Sequence, residues 1–313
     1  MNFTQPSRCR ASVVLLLVFF TGGHQWAAAQ PTAPKSFAQI VQTKAANGPA
    51  CKLTAACACS MDDEYVASRL LAEYGSIFAA ADTVKSPKRC IFESESQVSE
   101  FQRGLKTSVV VMDGATIELQ EPAMAALLAA KQDAAEMRLR ITPFDGATAG
   151  KRSYMETVRI WNSRYHRALD HWVRVRRISV DEANAARYAP VVVQVRKVIA
   201  WERAGLNFGT GLGRSIFSST APPGTSQHLS MLAFDVVQHS NRDVRRILNS
   251  NGWFQTIAND PPHFTYLGVP ESELPARGLK AVYAGGQKYW VPDITLPQPV
   301  EDRPTAVSPT TVP

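Results

Sequence analysis

Cysteine is scarce in this 313-residue chain, and none lies beyond position 90. Cys9, Cys51, Cys57, Cys59 and Cys90 form no C-x-x-C pair, the unit that structural zinc knots usually repeat. Charge is thin as well. Only 19% of residues are charged, the net charge is +7, and there is no dense basic block. That makes nucleic acid a poor partner, whereas a modest positive excess suits an anionic polymer such as a bacterial wall. No internal repeat is visible. Gly209, Gly211 and Gly213 lack the G-x-G-x-x-G spacing of a dinucleotide loop, and no clear strand precedes them, so they read as a plain loop. Apolar residues are plentiful. At 45% of the chain they suffice for a full core and a small second domain.

An apolar run stands near the start. Arg8 and Arg10 precede it, and QWAAAQ offers small residues for cleavage after Ala29. These are the parts of a secretory signal peptide, expected over residues 1–29. The run is short for a membrane span, and Cys9 precedes it, which argues against a lipoprotein cysteine. The expected product is exported, periplasmic or secreted, with no stable membrane span after cleavage. The leader holds two arginines and no acid, so its loss takes the net charge from +7 to +5. Four cysteines remain. In an oxidising compartment they imply two disulfides, with three connectivities open.

Residues 30–60 are rich in Pro, Ala and Cys and are expected to be irregular. MDDEYVASRLLAEYGSIFAAA then predicts an amphipathic helix, with Asp62 and Asp63 near its positive end. TSVVVMDG suggests a strand and turn. Pro122 suits a first helical turn, followed by Met124, Leu127 and Leu128 at helical spacing. MRLRIT alternates, which predicts a strand with Met137, Leu139 and Ile141 on one face. Tyr154, Val158, Trp161, Tyr165, Leu169 and Trp172 mark a long helix whose aromatic stripe is core packing. Ser179 and Glu182 form a capping-box pattern before a helix towards Arg203, which Pro190 is expected to bend. After Pro292 the chain is rich in Pro, Thr and Val, and disorder is expected after about 296.

The stretch SQHLSMLAFD, 226–235, raises a chemical question. Leu232, Phe234 and Val236 fill an apolar strand face, yet Asp235 sits among them and His228 seven residues earlier. A bare buried carboxylate is costly unless paired or coordinated. Downstream, NDPPHFTYLG supplies His263, three residues after Asp260. Two imidazoles and a carboxylate, His228, Asp235 and His263, make a three-ligand set for a catalytic zinc ion. Asp260 is then a nearby carboxylate for taking a proton from water. Each residue alone reads more simply as a core histidine or a capping aspartate. Their combination behind proline-rigid approaches favours the site.

PGTSQHLSMLAFD resembles the S-x-H-x-x-G-x-A-x-D signature of the zinc D-alanyl-D-alanine carboxypeptidases and related murein peptidases, the VanY-like, LAS-type family. Ser226, His228, Ala233 and Asp235 match. DPPHF resembles the D-x-P-H-F element of the L-alanyl-D-glutamate peptidase branch, and KRSY resembles the family's Y-R-S-Y. The three occur in family order over roughly residues 115–270. The resemblance implies an α+β fold with a small, mainly antiparallel sheet flanked by helices, and an N-terminal helical, disulfide-containing extension. It implies zinc on His228, Asp235 and His263, Asp260 as general base, Arg152 polarising the scissile carbonyl, and Ser226 binding substrate. The substrate class would be peptidoglycan stem peptides cut at a bond involving a D-amino acid. Expected boundaries are 30–114 for the cysteine-containing region, 115–270 for the peptidase domain and 271–313 for a C-terminal extension.

One position departs from the signature: the family glycine is Met231. Glycine suits a left-handed turn or a close approach, so this residue bears on the cleft and on substrate choice. It also motivates a second reading, a non-catalytic wall-binding or scaffolding protein that keeps the fold. Other candidates rank lower. His166 and His171, five apart, read as surface or interface residues, and His239 as a remote alternative ligand. Ser226 has no G-x-S-x-G elbow to make it a nucleophile.

Overall fold

The computed structural model describes Met1 and residues 36–44, 59, 61, 63–218, 220–258 and 260–297. The leader, Cys51, Cys57, Asp62 and the tail expected to be disordered lie outside these residues.

Helices begin where the sequence supplies caps. α1 (Phe37–Lys44) forms inside the segment expected to be irregular, with Phe37 and Val41 buried. Asp63 accepts the Val66 N–H at 3.0 Å and opens α2 (Glu64–Tyr74), which runs into a 3-10 turn over Gly75–Ala79. Ser94 caps α3 (Glu95–Arg103) in the same way. β1 (Thr107–Met112) and β2 (Ala115–Gln120) make a hairpin through Asp113 and Gly114, both at positive φ, as a tight Asp-Gly turn requires. The boundary expected between 114 and 115 therefore falls within a hairpin.

α4 (Glu121–Glu136) carries Pro122 in its first turn and buries Met124 and Leu127, while Leu128 faces solvent. The strand expected from MRLRIT does not form. Met137 terminates α4, Arg138 turns left-handed at φ 57°, and only Ile141 is buried. What remains is an isolated bridge between Pro143 and Val236. Alternation alone could not reveal that the first two residues cap the preceding helix and turn away from it.

Ser153 and Glu156 close a reciprocal capping box on α5 (Tyr154–Arg174). Its stripe buries Trp161, Tyr165 and Leu169, and leaves Tyr154, Val158 and Trp172 half-buried. Trp161 stacks on Tyr165 at 5.6 Å, and Trp201 on Phe208 at 5.3 Å, which builds one aromatic core with the helices that follow. Those helices are two. α6 (Val180–Arg187) is capped by Ser179 and ends, and α7 (Val191–Arg203) starts afresh behind Pro190. The proline thus separates two helices instead of bending one, because it lacks the N–H and disfavours helix at the residue before it.

The second core is built on a three-stranded sheet in the order β3 (Ala233–Asp235), β5 (His263–Tyr266), β4 (Trp253–Phe254), all antiparallel. α8 (Arg242–Ser250) lies between β3 and β4 in sequence and buries Val244 and Leu248. Phe234 and Phe264 are direct partners and fully buried, each contributing about 1.5–3 kcal/mol of burial. Phe37, Val41, Ile117 and Leu119 join the same core, so the region before residue 115 packs into it. A disulfide links Cys59 to Cys90. A last hairpin, β6 (Leu279–Ala284) and β7 (Gln287–Pro292), closes the described chain.

The architecture is α+β, with eight helices among the described residues. Where one small sheet was expected, there are three small antiparallel sheets. No helix among the described residues is long and apolar enough to cross a membrane.

Candidate functional site

Strand register assembles the site. In the β3–β5 pair Phe234 opposes Phe264 on the core side, so Asp235 and His263, one residue along, oppose each other on the other face. His263 Nδ1 lies 3.1 Å from Asp235 Oδ1. His228 arrives from a 3-10 turn over Gln227–Ser230, with Nε2 3.3 Å from Asp235 Oδ2. The potential ligand atoms of His228, Asp235 and His263 all lie within 4.8 Å of one another. Among the described residues this is the one such cluster, and His166, His171 and His239 do not join it.

Met231 ends the turn that delivers His228. It is left-handed, φ 55° and ψ 32°, the conformation for which glycine is the default. Its side chain is buried and is not among those lining the cleft. The departure from the signature is therefore felt as backbone strain, not as an obstruction. Upstream, Gly224 sits at φ 82° against the Phe92 carbonyl, where an added Cβ would come within 1.8 Å of that oxygen. The approach to Ser226 is thus stitched to the chain just after Cys90.

The second nitrogen of His228 is engaged: Nδ1 is 2.7 Å from the Gly150 carbonyl. A carbonyl only accepts, so Nδ1 carries the proton and Nε2 presents a lone pair. Burial, reinforced by Arg152, lowers His228 to about 4, which keeps the ring neutral near pH 7. Nε2 is buried with no hydrogen-bond partner, beside a carboxylate oxygen that is also electron-rich. An unpartnered lone pair against an anionic oxygen is what a cation between them would relieve. The donor set fits a metal ion that takes nitrogen and oxygen ligands.

Arg152 is closer to Asp235 than its expected role required. Its Nη2 donates to Asp235 Oδ2 at 2.7 Å and its Nε to the Thr148 carbonyl at 3.0 Å. It therefore orients the carboxylate while also bordering the cleft. Asp260 borders the same cleft. Burial pushes its carboxyl up to about 6, with the nearby Asp235 adding to the rise and His263 opposing it. Ser226 is buried at the cleft wall.

The cleft encloses about 520 Å³ and runs between α5 and the β3–β5 face. A larger groove of about 1020 Å³, between α8 and the β6–β7 hairpin, contains none of these residues. Three further cleft residues had no signal in the sequence. Arg159 and Arg164 come from α5, and Arg164 Nε is buried without a partner. Gln227 is fully buried, with its Oε1 2.9 Å from His263 Nε2. Neither protein-family models nor curated proteins provide a match to this chain.

Proposed function

We propose that this chain is an exported, zinc-dependent peptidase of the LAS type that hydrolyses peptidoglycan stem peptides at a bond involving a D-amino acid. The observation that carries the reading is the buried, unpartnered Nε2 of His228 beside Asp235, with His263 on the opposite carboxylate oxygen. The Cys59–Cys90 disulfide accords with an oxidising compartment outside the cytoplasm.

His228, Asp235 and His263 would hold the ion. When bound, zinc supplies Lewis acidity, which brings the pKa of water to about 7 and polarises a carbonyl. Asp260, a carboxyl whose pKa burial has lifted into the working range, accepts the proton of the attacking water and returns it to the departing amine. Arg152 keeps Asp235 in place with two of its N–H donors directed to Asp235 and Thr148, and its cationic head borders the space where carbonyl charge develops. Ser226 offers a hydroxyl for orienting the peptide. Arg159 and Arg164 suit a substrate that bears a carboxylate.

Met231 was the feature favouring a non-catalytic wall-binding protein, and its side chain does not border the cleft. The hydrolase reading is tested by metal analysis of the purified mature protein together with mass spectrometry of stem peptides after incubation. One zinc per chain and cleavage at a single bond are expected. A protein that binds no metal overturns the reading, and one that binds zinc and stem peptide without cleaving favours the binding protein.

A further inference from the structure

Gln227 lies between two residues of the S-x-H motif; it borders the cleft, yet it is wholly buried. Both ends of its amide are engaged. Nε2 donates to the Tyr74 carbonyl at 2.9 Å and to Ser76 Oγ at 2.7 Å. Oε1 accepts from Thr256 Oγ at 3.3 Å and, more closely, from Thr265 Oγ, and it lies 2.9 Å from His263 Nε2. The Tyr74 carbonyl can only accept, so the amide nitrogen belongs on its side and the amide oxygen on the histidine side. That oxygen can only accept in turn. His263 Nε2 must therefore carry a proton, which in the neutral ring leaves Nδ1 bare, 3.1 Å from Asp235 Oδ1.

We infer that Gln227 is a positioning residue that locks His263 in the tautomer whose Nδ1 can bind a cation, and that the Tyr74–Ser76 segment holds the lock. The inference rests on reading His228, Asp235 and His263 as a metal centre. It gives the N-terminal region a task that the family resemblance leaves open. Tyr74 and Ser76 stand 153 and 151 residues from Gln227 and precede the whole stretch the resemblance covers. Neutral imidazole binds a metal through its unprotonated nitrogen, and the partner of the other nitrogen decides which one that is. His228 obtains the same service directly from the Gly150 carbonyl. His263 obtains it through a relay: carbonyl and hydroxyl from the N-terminal region, amide, imidazole.

The test is nitrogen-resolved NMR of the histidine rings in the metal-free, full-length mature protein, paired with Zn²⁺ titration. Wild type should show His263 protonated at Nε2 alone. Gln227→Leu keeps the bulk and removes the acceptor. It should mix or reverse that tautomer and weaken Zn²⁺ binding by about 10–100-fold, the usual cost of losing an outer partner of a ligand. Ser76→Ala, a milder change that frees one side of the amide, should shift the tautomer ratio and the Kd in the same direction. If Gln227→Leu does not fold, Ser76→Ala decides. A purely structural role would lower Tm in both variants and leave the tautomer untouched. The lock is overturned if wild-type His263 is protonated at Nδ1, or if the folded variants keep the wild-type tautomer and Kd. The NMR measurement needs neither metal nor substrate, so it can fail while the peptidase reading stands, and the reverse.

Discussion

Asp235 and His263 are direct partners in the antiparallel β3–β5 pair, and their side chains meet with Oδ1 and Nδ1 3.1 Å apart. Two residues 28 positions apart thus become neighbours through backbone pairing, before any ligand arrives. The consequence is a preassembled set of potential ligand atoms whose geometry is as firm as the sheet.

Removing one corner of the site should abolish it. In His263→Ala, bound zinc should fall to a small fraction of one per chain, because two remaining ligands rarely hold a catalytic zinc. Asp235→Asn should weaken the metal too, since an amide is a poorer ligand than a carboxylate. Metal analysis after dialysis reads both, and full occupancy in either variant would place the site elsewhere.

Asp260 should separate chemistry from binding. Asp260→Asn should retain zinc, while stem-peptide hydrolysis drops by roughly 10²–10⁴-fold, the usual contribution of a general base. The same residue predicts a pH effect on the metal-free protein. Burial raises its folded-state pKa to about 6, above the ordinary 3.8, so the folded chain binds this proton more tightly than the unfolded chain. Its contribution to stability is full below the unfolded pKa and is lost as pH rises through about 6. Thermal melts should show wild type losing Tm relative to Asp260→Asn between pH 4 and 6. Parallel curves would contradict the assignment.

Met231→Gly tests strain against burial. A left-handed non-glycine residue costs about 1–2 kcal/mol, whereas emptying a buried methionine site costs about 2–5 kcal/mol. The second effect should win, and urea denaturation should find the variant less stable. Hydrolysis at saturating substrate should change little, because the side chain does not border the cleft. A large gain in activity would show that Met231 obstructs the cleft after all.

The Cys59–Cys90 bond closes a loop of sequence separation 31. Loop-closure entropy puts its contribution at about 3.7 kcal/mol. Non-reducing peptide mapping should recover the linked pair, and a reductant should lower Tm.

Arg159 and Arg164 predict substrate charge. Arg164→Ala should raise KM for a peptide with a free carboxylate and leave its amidated counterpart nearly unaffected, because only the former offers the anion that the guanidinium would pair with. Equal effects on both peptides would remove the arginine from recognition.

The features legible in the sequence were those written locally. The stripe through Trp161, Tyr165 and Leu169 declares a helix because its spacing repeats within one element. The acidic residue Asp63 at the positive end of α2 is local as well, and there it serves as the cap. His228, Asp235 and His263 were legible as a set through their motif, and the register of two short strands explains why they meet. The misreadings came from competition between neighbours. MRLRIT alternates like a strand, but its first residue, Met137, is the C-cap of α4 and Arg138 turns the chain away at positive φ. Gln227 and the Arg152–Asp235 contact were invisible because their partners lie 29 to 153 residues away in one case and 83 in the other.

The bridge between Pro143 and Val236 decides which edges of β3 stay open. Beside it, Phe144 N–H donates to the Asp235 carbonyl at 2.9 Å and Val237 N–H to the Thr142 carbonyl at 3.0 Å. β5 occupies the opposite edge of the same strand. Both edges of β3 are thus taken where it carries Asp235, and an incoming chain cannot dock there by adding itself as another strand. On the peptidase reading, recognition would fall instead to side chains around the cleft, which sense the handedness and decoration of each residue more than its backbone. Such a cleft would, on that reading, be suited to telling mirror-image amino acids apart.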